Sequence, residues 1–108
     1  MMLQLPTPLQ AYFEANANLD TDAMLAPFAF YAVVRDERRT HRGIDAIRAW
    51  IEQANIGNQA IAIPQAIRSD GEAHHVTAQV SGAFAGSPIT LSFYFRLDGG
   101  CIAELEIG

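Results

Sequence analysis

The sequence contains a single cysteine and no lysine, and both features restrict what the protein can be. Cys101 has no second cysteine in the chain with which to form a disulfide bond, which is typical of a reducing compartment and favours a cytoplasmic location. The chain has seven arginines and twelve acidic residues, so the net charge is −5. Nucleic-acid-binding domains normally present a basic face. The acidic balance therefore argues against a nucleic-acid partner.

Long apolar runs and metal-binding patterns are also missing. No stretch approaches the roughly 18 uninterrupted apolar residues of a membrane-spanning helix, and no secretory leader pattern opens the chain. His74 and His75 are adjacent on a predicted strand, so they point to opposite faces and cannot form a two-histidine metal site. Phosphate-binding and dinucleotide-binding motifs are absent as well. We therefore predict no membrane partner, no metal and no cofactor.

Apolar residues, in contrast, are plentiful. They make up 50% of the chain while charged residues make up only 18%, a balance that supports a packed core and excludes a disordered chain. A chain of 108 residues is the size of one ordinary domain. We expect residues 1–108 to form a single domain.

The first half of the chain has mainly helical patterns. Helical spacing of apolar residues predicts a helix over Thr7 to Asn18, and Asn18 or Asp20 caps a second short helix. Aromatic and β-branched residues predict a strand over Phe28 to Arg35. After a polar loop or short hairpin, Ile44, Ile47, Trp50 and Ile51 form one face of a third helix, which ends between residues 55 and 58.

The second half alternates apolar and polar residues, as half-buried strands do. Asp70-Gly71 and Asp98-Gly99-Gly100 are turn signals between these strands. Helices followed by a meander of long strands indicate an α+β fold in which one sheet face is covered by the three helices.

Four segments together resemble the nuclear-transport-factor-2-like superfamily, and within it the SnoaL-like group of ketosteroid isomerases and polyketide cyclases. They are Y-F-E-A-N-A-N-L-D (12–20), A-V-V-R-D (32–36), H-R-G-I-D-A-I-R-A-W (41–50) and V-S-G-A-F-A-G-S-P-I-T-L (80–91). The resemblance implies a cone: a strongly curved antiparallel sheet wrapped around three helices, with a pocket at its open end. It also implies dimerisation through the sheet. It does not select a reaction, because one fold hosts many functions.

Asp36 is the leading catalytic candidate. By resemblance it ends the A-V-V-R-D segment where ketosteroid isomerases place their general-base aspartate. A carboxylate that faces an apolar pocket is suited to move a proton next to a carbonyl group. The alternative is a solvated carboxylate paired with Arg35, Arg38 or Arg39 in the loop.

Tyr12 and His41 complete the predicted catalytic set. Tyr12 aligns with the isomerase tyrosine that donates a hydrogen bond to the developing oxyanion, although its helical spacing equally suits a core aromatic. His41 lies at the end of the polar loop, where it would be an acid or base at the cone mouth. Phe93 falls where the isomerases place a second, acidic donor, and a phenyl ring cannot donate a hydrogen bond.

Aromatic side chains would form the walls of the pocket. The residues predicted to contact a ligand, or otherwise to fill the core, are Trp50, Phe84, Phe93 and Phe95. Such a pocket suits a small hydrophobic molecule.

One predicted sheet face carries short, uncharged polar side chains. These are Thr77, Gln79, Ser81, Thr90, Ser92 and Tyr94. We expect this face to pair with the same face of a second copy in a homodimer.

Three functions remain open from the sequence. The first is an isomerase-, cyclase- or dehydratase-type enzyme with Asp36 as base on a hydrophobic carbonyl compound. The second is a non-catalytic binder of a small apolar ligand. The third is a dimeric scaffold whose cone is filled by its own side chains.

Overall fold

The computed structural model describes residues 3–108, which form helices packed on one face of a curved sheet. The helices are α1 (Thr7–Ala17), α2 (Thr21–Leu25) and α3 (Ile44–Trp50), and α3 continues into a π-helical segment (Ile51–Ile56). The strands are β1 (Phe28–Asp36), β2 (Arg39–Arg42), β3 (Ile61–Asp70), β4 (Ala73–Ser81), β5 (Ile89–Asp98) and β6 (Cys101–Ile107). Among the described residues, no helix has the length and apolar character needed to cross a bilayer.

The six strands lie in one sheet in the order β2-β1-β6-β5-β4-β3. Every neighbouring pair is antiparallel except β1 and β6, which run parallel. The α+β fold is confirmed, but the expectation of a wholly antiparallel sheet is corrected at this pair. Hairpins and short turns make the other neighbours antiparallel, whereas α3 and four strands (β2 to β5) separate β1 from β6 in the chain, so no tight turn sets their direction.

Of the two alternatives for the segment after β1, a polar loop or a short hairpin, the structure shows a hairpin with a two-residue turn. Asp36 pairs with Arg39 across the turn, and both central residues have positive φ, 52° at Glu37 and 65° at Arg38. Positive φ at both positions is the sign pattern of a type I′ turn, whose twist matches that of the flanking strands. The hairpin therefore holds the end of β1 in a defined place.

Alternation along β4 separates the core from solvent as predicted. Val76, Ala78 and Val80 are buried, whereas Thr77 and Gln79 are exposed. The buried set faces α1 and the aromatic residues of β5, where most of the core lies. The polar face predicted for dimerisation is thus the outer face of the sheet.

A buried amide joins α1 to the start of β3. The Asn16 side chain donates from Nδ2 to the carbonyl oxygen of Ala60 at 2.9 Å, and its Oδ1 accepts from the backbone nitrogen of Ala62 at 2.7 Å. Asn16 is only 1% exposed. Both backbone groups lie where β3 begins, so the amide fixes the entry of this edge strand against the helix.

Candidate functional site

A cavity of about 450 Å³ lies between the end of β1, the π-helical segment and the inner faces of β4 and β5. This is within the size range of small-molecule sites, roughly 300–1,000 Å³. The lining residues are mainly apolar, with four polar side chains among them: Asp36, Glu37, Asn55 and Asn58. An empty space of this size therefore remains between these elements.

Asp36 lies on the wall of this cavity because of strand alternation. Val34 is fully buried, and Asp36 follows it by two residues, so both side chains point to the inner face. The indole nitrogen of Trp50 donates a hydrogen bond to Asp36 Oδ2 at 3.0 Å. This hydrogen bond, from a residue of α3, fixes the orientation of the carboxylate.

The carboxylate of Asp36 is not paired with the neighbouring arginines. Within residues 3–108 it makes no ion pair, and Oδ1 has no hydrogen-bond partner. Arg35 points to the outer face, where its nearest carboxylate is Glu104 at 4.0 Å. The arrangement differs from the solvated loop carboxylate that was the alternative for Asp36, and it leaves one carboxylate oxygen available to a bound molecule.

Two of the four aromatic residues predicted to contact a ligand line the cavity, and two do not. Phe84 and Phe93 are on its wall. Phe95 is fully buried and packs against the rings of Tyr12 and Phe13, outside the cavity lining. Trp50 is also buried and reaches the site through its hydrogen bond to Asp36.

Tyr12 lies in the aromatic core rather than on the cavity wall. Its ring packs edge-on against Phe13, Phe28 and Phe95 at centroid distances of 5.2, 5.9 and 5.7 Å. Burial, reinforced by the negative charge of Asp36, raises the pKa of the Tyr12 phenol well above its usual value. Tyr12 is therefore held as a neutral phenol near the Asp36 carboxylate, and its role as a donor to a ligand remains a prediction.

His41 lies on β2, half-buried, and its ring centroid is 6.2 Å from that of Trp50. It is not among the residues that line the cavity. His41 contacts the site from the side, by way of Trp50. Its predicted role as an acid or base at the cone mouth has no geometric counterpart here and remains a prediction.

Sequence reasoning missed Asn55, a polar residue on the cavity wall. Its side-chain Nδ2 is buried and has no hydrogen-bond partner within residues 3–108. Ile47, Ile51 and Asn55 follow one another at intervals of four, so Asn55 continues the apolar stripe of the third helix with an amide. That interruption of the stripe was the signal that could have identified it.

The histidine and carboxylate side chains do not gather into a metal site. In the part of the chain that the structure describes, no three histidine, cysteine, aspartate or glutamate residues are arranged to hold an ion. His74 is buried with Nδ1 2.7 Å from Ser69 Oγ, while His75 packs its ring against Tyr94 on the outer face. The two histidines therefore lie on opposite faces, as alternation predicts.

Comparison with known structures places this geometry in a family. A candidate polyketide cyclase from Sinorhizobium meliloti is 42% identical, with a TM-score of 0.92 over 96% of this chain and 95% of that one. A protein of ketosteroid-isomerase-like fold from Catenulispora acidiphila, in complex with trimethylamine, is 17% identical, with a TM-score of 0.83 over 97% and 86% of the two chains. The epoxide hydrolase/cyclase-like enzyme SalBIII, which has a role in pyran ring formation in the polyether salinomycin, is 20% identical, with a TM-score of 0.82 over 94% of this chain and 86% of that one.

The chain belongs to the polyketide-cyclase-like family of the Sinorhizobium meliloti protein, and it shares the fold of nuclear-transport-factor-2-like proteins. The similarity to the Sinorhizobium protein extends over nearly the whole of both chains, and the other two proteins share the fold with this chain. Comparison of the sequence with models of protein families gave no match, and comparison with curated proteins gave none either.

Proposed function

We propose that this protein binds a small hydrophobic carbonyl compound in the cone cavity and moves a proton on it, with the Asp36 carboxylate as the general base. The observation that carries the proposal is the position of this carboxylate. It lies on the wall of a mainly apolar cavity, is oriented by the Trp50 N–H group, and is free of the arginines around it. The reaction class is that of an isomerase, cyclase or dehydratase.

The chemistry follows from the surroundings of the carboxylate. Asp36 takes a proton from the carbon next to the ligand's carbonyl group, so that the C–H electrons form an enolate and the carboxylate becomes a carboxylic acid. The same acid then returns the proton to that carbon or to another position along the conjugated system. Apolar walls such as Phe84 and Phe93 exclude water from the enolate.

Proton transfer can be tested before the natural substrate is known. Simple cyclic ketones are incubated with the protein in D2O, and loss of the α-proton signal is followed by NMR. We expect the natural protein to accelerate the exchange and Asp36→Asn to abolish the acceleration. Glu37→Gln is the matched control, because Glu37 is the other carboxylate on the cavity wall but has no Trp50 donor. Equal loss in both variants would contradict the assignment of the base.

The second candidate is a binder without catalysis. It is favoured by Phe93, which lines the cavity at the position that resembles the isomerases' second donor and can supply no hydrogen bond to an enolate. Losing one such donor typically costs about 3–4 kcal/mol of barrier. If the natural protein binds the ketones but exchanges no α-protons, and Asp36→Asn binds them equally well, the binder is the correct function.

We also propose that the outer sheet face joins two copies of the chain. On β4 and the adjoining part of β5 the outer side chains Thr77, Gln79, Thr90 and Ser92 are exposed and uncharged, and Thr77 lies opposite Ser92 in the strand register. An arginine at the centre of a two-fold interface meets its own copy, so Thr77→Arg should convert a dimer to a monomer in light scattering. Gln53→Arg, at an exposed position of the π-helical segment and therefore off the sheet, is the control. A natural protein that is monomeric at micromolar concentration would overturn the proposal.

A further inference from the structure

Asn55 is held by its backbone at the end of the third helix. Its carbonyl oxygen accepts from the backbone nitrogen of Ala60 at 2.8 Å, and three residues earlier the carbonyl oxygen of Glu52 accepts from the backbone nitrogen of Gly57 at 2.8 Å. Both bonds span five residues, as in a π-helix, a geometry that often occurs at functional sites. Ile51, four residues before Asn55, is fully buried. The backbone therefore directs the Asn55 side chain inward, toward the cavity that this residue lines.

The Asn55 amide is exceptional among the buried polar groups. Its Nδ2 is the one buried side-chain nitrogen or oxygen in residues 3–108 that has no hydrogen-bond partner. Asn58, on the same cavity wall, donates from Nδ2 to the carbonyl oxygen of Ala54 at 3.2 Å. Buried polar groups are nearly always paired, because an unpaired donor retains the cost of its lost hydration. Because Asn55 also lines the cavity, a rotation of its side chain would bring this unpaired donor to an acceptor that arrives with the ligand.

We propose that the Asn55 amide donates a hydrogen bond to an oxygen of the molecule bound in the cavity and thereby selects ligands with an uncharged carbonyl group. This inference rests on the proposed function, since it requires that the cavity binds a small molecule. It goes further by naming the residue that recognises the polar end of that molecule.

The charges of the cavity define the class of acceptor. Asp36 and Glu37 both line the wall, and none of the described residues in the cavity lining is an arginine or a histidine. Two carboxylates disfavour an anionic ligand, and a neutral amide does not compensate for that repulsion. A ketone, aldehyde or ester oxygen accepts a hydrogen bond without carrying a charge. The amide also stabilises the negative charge that develops on this oxygen when Asp36 removes the proton.

The test compares two ligands of the same shape. The probes are 4-tert-butylcyclohexanone and its methylene analogue, in which C=CH2 replaces C=O, and their affinities are measured by NMR titration. The quantity of interest is the ratio of the two affinities, compared between the natural protein and Asn55→Ala. One neutral hydrogen bond corresponds to a change of about three- to tenfold in that ratio. Gln53→Ala, which removes an exposed amide of the same π-helical segment that does not line the cavity, should leave the ratio unchanged.

A second readout separates recognition of the ligand from a structural role. Asn55→Leu removes an unpaired buried amide and keeps an inward-facing side chain of similar size, so it should raise the Tm of the ligand-free protein while it removes the preference for the ketone. A residue needed only for folding would lower the Tm. An unchanged affinity ratio in Asn55→Ala, or an equal loss of both ligands, would overturn the inference.

The failures of the two proposals are distinguishable. If the ketone is bound with an Asn55-dependent preference but no α-proton exchanges, the inference stands and catalysis by Asp36 falls. If exchange depends on Asp36 while the affinity ratio is the same in Asn55→Ala, catalysis stands and the inference falls. If neither probe binds the natural protein at millimolar concentration, both fall.

Discussion

Trp50 and Asp36 form a hydrogen-bonded pair between α3 and the end of β1, with 3.0 Å between the indole nitrogen and Oδ2. The two residues are 14 positions apart in the chain, and the bond joins a helix to the strand on which that helix packs. Trp50 is the chain's one tryptophan. Its fluorescence therefore reports on the hydrogen bond to Asp36, which lines the cavity.

The strength of this pair can be measured in a double-mutant cycle. Trp50→Phe keeps an aromatic ring but removes the donor, and Asp36→Ala removes the acceptor. A hydrogen bond to a charged group contributes about 1.5–3 kcal/mol, so we expect a coupling free energy of that size from urea unfolding of the four proteins. Additive effects of the two substitutions would show that the bond does not hold the carboxylate in place.

The Asn16 amide should contribute more to stability than any exposed asparagine. Asn16→Ala leaves the carbonyl oxygen of Ala60 and the N–H group of Ala62 buried without partners. Each such group costs about 1–3 kcal/mol, so the free energy of unfolding should fall by about 2–4 kcal/mol. Asn18→Ala, at an exposed site near the end of α1, is the control and should change it by less than about 0.5 kcal/mol. Similar losses in both variants would contradict the bridging role.

Tyr12 predicts a loss of stability in alkaline solution. Its pKa in the folded protein lies above the ordinary value of 10.0, so above about pH 10 the unfolded chain releases this proton while the folded chain keeps it. Stability is therefore fully present below pH 10 and declines as the pH rises toward the raised pKa. The chain has no lysine, so the ammonium titration that normally overlaps with that of tyrosine in this pH range is missing.

The measurement is urea unfolding at pH 9 and pH 11. The natural protein should lose more stability between these values than Tyr12→Phe does, since the variant has no buried phenol. Tyr94→Phe, which removes a phenol from the outer face, should behave like the natural protein. Equal alkaline losses in the natural protein and Tyr12→Phe would mean that Tyr12 does not cause the decline.

Gly82 is a close-contact position between β4 and the segment that leads into β3. A Cβ atom built there would lie 2.7 Å from the carbonyl oxygen of Asn58 and 2.9 Å from the Cα atom of Ala60. Backbone atoms cannot move aside as a flexible side chain can. We expect Gly82→Ala to lower the free energy of unfolding by about 1–3 kcal/mol. Gly108→Ala, where an added Cβ meets nothing within 4 Å, should be neutral, and equal effects would contradict the crowding argument.

The local elements were largely predictable because their signals are local. The helix over Thr7 to Asn18 is observed as Thr7–Ala17, and Asp20 rather than Asn18 caps α2, accepting from the backbone nitrogen of Ala23 at 3.1 Å. The strand predicted to end at Arg35 extends one residue further to Asp36, because the tight turn at residues 37 and 38 lets strand pairing continue through Asp36 and Arg39. The third helix ends as a π-helical segment, which periodicity did not predict.

The candidate site was only partly predictable. Strand alternation accounts for the direction of Asp36 and Phe93 once their buried neighbours are known. Asp36 lies two positions after the buried Val34, and Phe93 lies two positions before the buried Phe95. Periodicity could not separate Phe93, on the cavity wall, from Phe95, in the closed core, because both lie on the same strand face. That difference arises from α1, whose Tyr12 and Phe13 rings cover Phe95.

The α+β class, the order of the elements and the separation of the two sheet faces follow from the amino-acid sequence alone, because each depends on the period of a helix or strand. Four features required the packed structure: β1 and β6 run parallel, Asp36 faces the cavity, Tyr12 lies outside it, and Asn55 Nδ2 has no partner within the described residues. These features depend on which strands pair and on where the helices pack on the inner face of the sheet. No local sequence pattern specifies these contacts, since they join residues that are far apart in the chain.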